Sequence, residues 1–160
     1  MSSMTGMTMT SLKVGDKAPA LTGVDQDGKA IDLSIFSGKK LLLYFYPKDD
    51  TPGCTAEACS LRDEHAALRR AGYEVLGVSP DKATKHKKFA DKYNLPFRLL
   101  ADPDKEAAVA YGVWGPKKFM GREYVGILRT TFLIDEEGVI EHIITKVRTK
   151  DHAAQVLETV

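Results

Sequence analysis

The sequence is short of cysteine, of net charge and of long apolar runs, and each shortage removes a class of function. Cys54 and Cys59 are the only cysteines among 160 residues, too few for the disulfide framework of a small secreted domain. The reducing cytoplasm is therefore the expected compartment, and there a close cysteine pair is more often redox-active or metal-binding than a structural staple. The 23 Lys and Arg nearly cancel the 22 Asp and Glu, leaving a net charge of +1, which disfavours binding driven by phosphate neutralisation. No apolar run approaches the roughly 18 residues that a spanning helix requires. The opening segment MSSMTGMTMTSLKVG has neither a basic start nor an apolar stretch, so no secretory signal is expected.

What is present fits one packed domain. Residues 1–12 read as a flexible tail and 13–160 as a single domain. Turn residues at Val24–Lys29 suggest a hairpin. Lys40 to Tyr46 is a continuous apolar run, the mark of a strand buried on both faces. After Pro47 and a polar loop, Thr51 is a good N-cap with Pro52 at the first helical position. Ala58, Leu61, His65 and Leu68 continue the helical spacing toward Gly72 as C-cap. Strands are expected at Tyr73–Ser79, near Phe97–Leu100, at Arg129–Ile134 and at Val139–Val147. Helices are expected near Asp81–Tyr93, near Asp104–Tyr111 and from about Thr149 onward. Gly112–Gly126, rich in glycine, reads as the longest irregular stretch. Strands alternating with helices, closed by a terminal hairpin, indicate a central mixed β-sheet flanked by helices, thioredoxin-like in outline.

Cys54 falls in the first turn of a helix directly after a buried strand. Unpaired backbone N–H groups and the positive end of the helix dipole both favour a thiolate there. The alternative is a small buried hydrophobe near a helix end. Thr51 can offer a hydroxyl to whatever binds over the sulfur, and Pro47 can shield the site without presenting an N–H. Cys59 follows five residues later. In a regular helix that spacing separates the Cα atoms by about 8.6 Å, beyond the roughly 7 Å that a disulfide tolerates. If the two sulfurs join, the first turns must unwind. On spacing alone a redox role and a packed helix position stay equally open for Cys59.

The segment Phe45–Cys59, FYPKDDTPGCTAEAC, with P-x-x-x-T-x-x-C at Pro47, Thr51 and Cys54, resembles the peroxiredoxins of the bacterioferritin-comigratory or Q type. The later run KKFMGREYVGILRTTFLID and the opening VGDKAPALTGVDQDGKAIDLSIFSGK resemble the same family, so the likeness covers nearly the whole chain after residue 12. The resemblance implies a thioredoxin-like fold and reduction of hydrogen peroxide and organic hydroperoxides without metal, heme or flavin. It also implies roles: Cys54 peroxidatic, Cys59 resolving through an intramolecular disulfide, Arg129 and Thr51 holding the peroxide, Pro47 shielding it. Thioredoxin, or glutaredoxin, would be the reductant, and a monomer or weak dimer is expected. Glu57, read as a first-turn carboxylate suited to the helix dipole, counts as supporting. No cysteine follows Cys59, so a C-terminal resolving cysteine from a second subunit is excluded. The Gly-Gly-Leu-Gly and Tyr-Phe segments of overoxidation-sensitive relatives are also missing, which implies resistance to sulfinic acid formation.

Two other classes compete. A copper-delivery site would combine Cys54 and Cys59 with one of His65, His86, His142 or His152, although such pairs are spaced C-x-x-x-C. A non-catalytic binding module would use the lysine face Lys82, Lys85, Lys87, Lys88 and Lys92, or Trp114 and Phe119 as a docking or lid element. Each has an ordinary reading: histidines that pack, lysines on a solvated helix face, and aromatics over a sheet edge.

Overall fold

The computed structural model describes residues 10–160, with Phe119 described by its backbone alone, so most of the expected N-terminal tail lies outside the described residues. Leu12, assigned to that tail from the sequence, packs against the core.

The continuous apolar run becomes β3 (Lys40–Phe45), the strand around which the sheet is built. It pairs in parallel with β4 (Tyr73–Ser79) and antiparallel with β8 (Thr130–Ile134). β4 continues in parallel to β5 (Arg98–Ala101), and β8 turns back antiparallel into β9 (Ile140–Ile144). The hairpin of β1 (Thr22–Val24) and β2 (Ala30–Asp32) completes a seven-stranded mixed sheet in the order β2-β1-β5-β4-β3-β8-β9. Burial on both faces from Leu41 onward explains why the only charged residue of β3 is Lys40 at its start. Leu41, Leu43 and Phe45 enter one core, with Val78, Phe132 and Tyr111. Leu42, Tyr44 and Tyr46 enter the other, beneath the helices, with Leu61, Phe89 and Val156. Each such side chain stabilises the fold by roughly 1.5–3 kcal/mol through removal of apolar surface from water. Gly77 in β4 is required by close approach: a Cβ there would lie 2.8 Å from the Tyr44 ring.

The helices cover the sheet as α1 (Pro52–Asp63), α2 (His65–Arg70), α3 (Ala83–Tyr93), α4 (Glu106–Ala110) and α5 (His152–Thr159). The expected single helix through Leu68 is interrupted at Glu64, whose φ of −107° and ψ of 17° leave the helical region. Leu61 and Leu68 still face one core, so a one-residue break does not disturb the apolar spacing that sequence can read. The larger difference is Gly112–Gly126. Instead of an irregular loop it forms a second, two-stranded sheet, β6 (Trp114–Phe119) and β7 (Arg122–Ile127). Met120 and Gly121, at φ 51° and 79°, make the two-residue turn, a positive-φ pair that matches the twist of a hairpin. Gly115, Pro116 and Gly126 lower strand propensity and hid it.

No helix among the described residues is long and apolar enough to cross a membrane.

Candidate active site

β3, an interior strand, delivers Pro47–Asp50 as a loop at its C-terminal end. Two consecutive aspartates tie that loop to α3. Asp49 is buried, accepts from the Tyr46 hydroxyl at 2.5 Å and meets His86 Nδ1 at 2.6 Å. Its backbone N–H donates to Asp81 Oδ2 at 2.7 Å. Asp50, in left-handed backbone at φ 61°, is exposed and accepts from Lys92 Nζ and the Tyr93 hydroxyl, both at 2.9 Å. The loop is therefore fixed before the helix begins.

Thr51 occupies the N-cap with extended backbone, and Pro52 is the first helical residue, as expected. The Thr51 hydroxyl does not cap the helix. It donates to the Lys48 carbonyl at 2.9 Å, which leaves its lone pairs available to a donor above the site. The first intrahelical bond runs from Thr55 N–H to Thr51 C=O, so the N–H groups of Gly53 and Cys54 have no partner within the helix. Cys54 thus sits in the first turn, with 1% of its surface exposed. Pro47 is half-buried at the strand end.

Arg129, just before β8, reaches this turn from the strand paired beside β3. Its Nη2 donates to Cys54 Sγ at 3.4 Å and its Nη1 to Glu57 Oε1 at 2.7 Å. Gly53 makes the approach feasible, since a Cβ there would stand 3.3 Å from Arg129 Nη2. Burial works against the Arg129 charge, but the Cys54 and Glu57 charges override it, and its pKa lies above the ordinary arginine value. Lys117 of β6 responds to the same cluster. Burial and the Arg129 charge push its pKa down, with Cys54 pulling it partly back.

Glu57 corrects the sequence reading. The first turn of α1 holds no acidic residue, and Glu57 is fully buried one turn further on, where it partners Arg129 rather than the helix dipole. Its spacing of three from Cys54 puts it on the same helix face, a signal that was available in the sequence. Burial pushes its pKa up to about 7 against the opposing pull of Arg129.

Cys59, half-buried, lies on the same unbroken helix as Cys54, and both are free thiols. The competing metal site does not assemble. Among the described residues the only three-residue cluster with metal-ligand chemistry is Asp49, Asp81 and His86, and it contains neither cysteine. His65 packs against Phe97, His86 and His152 are buried, and His142 is half-buried on β9. The lysine face is largely neutralised: Lys85 pairs with Asp81, Lys87 with Asp27 and Asp91, and Lys92 with Asp50. Trp114 packs against the core beneath the Lys105 ammonium. The Phe119 side chain lies outside the described residues.

The chain around this site resembles known proteins over most of its length. The AhpC/TSA family pattern matches residues 14–143. Peroxiredoxin Bcp of Escherichia coli strain K12 is 49% identical over 149 residues, covering 93% of this chain and 96% of that protein. Peroxiredoxin Q of Xanthomonas campestris superposes with a TM-score of 0.82 at 33% identity, covering 94% of this chain and 95% of its own. A second Xanthomonas campestris structure, of a bacterioferritin comigratory protein described for alkyl peroxide reduction, gives 0.82 at 32% identity, with 94% and 96% covered. On this sequence and structural agreement the chain belongs to the AhpC/TSA family, as a thiol peroxidase of the bacterioferritin-comigratory or Q type.

Proposed function

We propose that Cys54 is the peroxidatic residue and Cys59 the resolving one. The Cys54 thiolate attacks one oxygen of a hydroperoxide in line with the O–O bond. Sulfur gains that oxygen and is oxidised to the sulfenic acid, the O–O bond breaks, and the other oxygen leaves as hydroxide or alkoxide and takes a proton. Arg129 supplies planar donors to the peroxide oxygens while holding the sulfur. The unpaired Cys54 N–H adds a preorganised donor for the developing charge. The Thr51 oxygen accepts from the peroxide O–H, and Pro47 limits water at the sulfur. The observation that carries this reading is the single guanidinium spanning Cys54 Sγ and Glu57 Oε1.

Resolution follows helical geometry. Both cysteines ride on one helix, with Cα atoms about 8.6 Å apart in regular geometry, so the first turns of α1 must open before Cys59 can condense with the sulfenic acid and expel water. The loop before α1 is anchored through Asp49 and Asp50, which confines the opening to the residues after it. Thioredoxin, or glutaredoxin, then reduces the disulfide by thiol–disulfide exchange. The substrates are hydrogen peroxide and organic hydroperoxides, the compartment is the cytoplasm, where both thiols stay reduced between cycles, and the working unit is a monomer or weak dimer.

Peroxide consumption with a thioredoxin system tests the reading. Cys54→Ser abolishes turnover; retained turnover in that variant overturns the assignment.

A further inference from the structure

Two buried groups behind Arg129 take no part in the chemistry above as acids or bases. Glu57 Oε1 is engaged by Arg129, but Glu57 Oε2 is buried without a hydrogen-bond partner. It faces Nε2 of His152, the first residue of α5, at 3.6 Å, and both side chains are 0% exposed. An unpaired buried carboxylate oxygen is costly, so its neighbour matters.

The surroundings of His152 fix one ring nitrogen and leave the other open. Gln155 Nε2 donates to the Lys146 carbonyl at 2.9 Å, and Gln155 Oε1 accepts from the Arg148 N–H at 2.9 Å, which sets the orientation of the amide. His152 Nδ1, 2.9 Å from that Oε1, must therefore be the donor. Nε2 meets the Thr131 hydroxyl at 2.8 Å. A hydroxyl donates or accepts as required, so Nε2 is satisfied with or without a proton.

We propose that Glu57 and His152 hold one shared proton behind Arg129, and that losing it weakens the grip of Arg129 on the Cys54 thiolate. The inference rests on Cys54 being the reacting sulfur. With the proton on Glu57 the pair is a neutral acid beside a neutral imidazole, and no carboxylate charge faces Arg129. The Arg129 charge then acts on the sulfur undivided. Once the proton leaves, a full carboxylate sits 2.7 Å from Nη1 and divides that charge.

The other charges around the pair have defined places. Arg129 enters from the segment before β8, Cys54 lies one turn away on α1, and Tyr44 contributes a phenol from β3. Tyr44 is held neutral, because burial and then the Glu57 charge push its pKa far above the usual tyrosine value. Arg129, Arg148 and Asp151 act on His152, and Lys117 of the hairpin acts on Arg129. Burial raises Glu57 to about 7 and lowers His152, which favours a neutral acid beside a neutral imidazole over two buried charges. The consequence for catalysis has a definite sign. Deprotonation of Cys54 raises kcat/KM for peroxide with pH, and loss of the shared proton lowers it again on the alkaline side.

The unmutated reduced protein gives the direct test. The 15N shifts of the His152 ring and the 13C shift of the Glu57 carboxyl are followed by NMR from about pH 5 to about pH 9. Both are expected to move through one common step that totals one proton. Independent titrations, or a Glu57 carboxyl that titrates in the ordinary glutamate range, would overturn the proposal. A second test reads the sulfur without peroxide, as the pH dependence of Cys54 alkylation by iodoacetamide in a Cys59→Ser background. Glu57→Gln removes the alkaline weakening, and His152→Gln moves it to lower pH by about one unit, a roughly tenfold change in the proton affinity of the pair. Unchanged profiles in both variants would contradict the coupling. A protein that passes both tests but does not consume peroxide leaves the proton assignment standing and removes the peroxidase reading of Cys54; the reverse pattern removes only the shared proton.

Discussion

Two buried carboxylate–histidine pairs flank the active-site segment, and they are built to different standards. In the pair before α1, Asp49 and His86 stand 2.6 Å apart, Tyr46 donates to the other Asp49 oxygen, and His86 Nε2 lies 3.0 Å from the Leu100 carbonyl. Both ring nitrogens face acceptors, an arrangement that a doubly protonated ring satisfies completely. In the pair behind Arg129, Glu57 and His152 stand 3.6 Å apart with one carboxylate oxygen unpaired. A closed network has one good arrangement and acts as a scaffold. An open one has two arrangements of similar cost and can respond to the charge beside it.

The largest effect that separates them is on stability. His86→Leu leaves the buried Asp49 carboxylate without its partner, and should lower unfolding free energy by about 3–5 kcal/mol in urea titrations. The same variant keeps the alkaline limb of the pH profile; losing that limb would erase the distinction between the pairs. Glu57→Gln should cost less stability, because an amide still accepts from Arg129 and carries no charge to bury. Its signature is the pH profile of kcat/KM, which becomes flat on the alkaline side.

A third effect is smaller and concerns stability against pH. The folded-state pKa of Glu57 lies above its ordinary value, so the folded protein binds this proton more tightly than the unfolded chain does. That contribution is complete below the ordinary value of 4.5 and is lost as pH rises through about 7. His152, lowered by burial, works in the opposite direction below its ordinary value of 6.5. Comparing unfolding midpoints across this range, the Glu57→Gln variant should lose less stability than the parent as pH rises from about 4.5 to about 7, and parallel slopes would count against the raised Glu57. The smallest effect is expected at the exposed clamp: Lys92→Ala should barely change the unfolding midpoint, since ion pairs in water contribute little. A large loss there would mean that the surface tie, rather than Asp49, holds the loop.

Legibility in the sequence followed distance along the chain. Pro47, Thr51 and Cys54 lie within one strand–loop–helix passage, so cap residues and spacing are enough to place them. The sheet was legible for the same reason, because β3 carries its two-sided burial as an unbroken apolar run. Arg129 was reached only through family resemblance, since nothing local links it to a cysteine 75 positions away. Neither histidine pair could be read: the partners lie 37 residues apart in one and on different helices in the other. Helix position alone does not reveal the role of Glu57; the face it shares with Cys54 does. The β6–β7 hairpin was missed because its glycines and Pro116 imitate a loop, while the positive-φ Met120-Gly121 pair sets the turn.

The central claim is that peroxide converts the two thiols of α1 into one intramolecular bond. Reduced protein treated with about one equivalent of hydrogen peroxide, thiol-blocked and weighed without reductant, reports on it directly. The account predicts a monomer lighter by two hydrogens, with Cys54 linked to Cys59 on peptide mapping. Two unmodified thiols after minutes, or a stable sulfenic or sulfinic acid on Cys54 with Cys59 free, would contradict it.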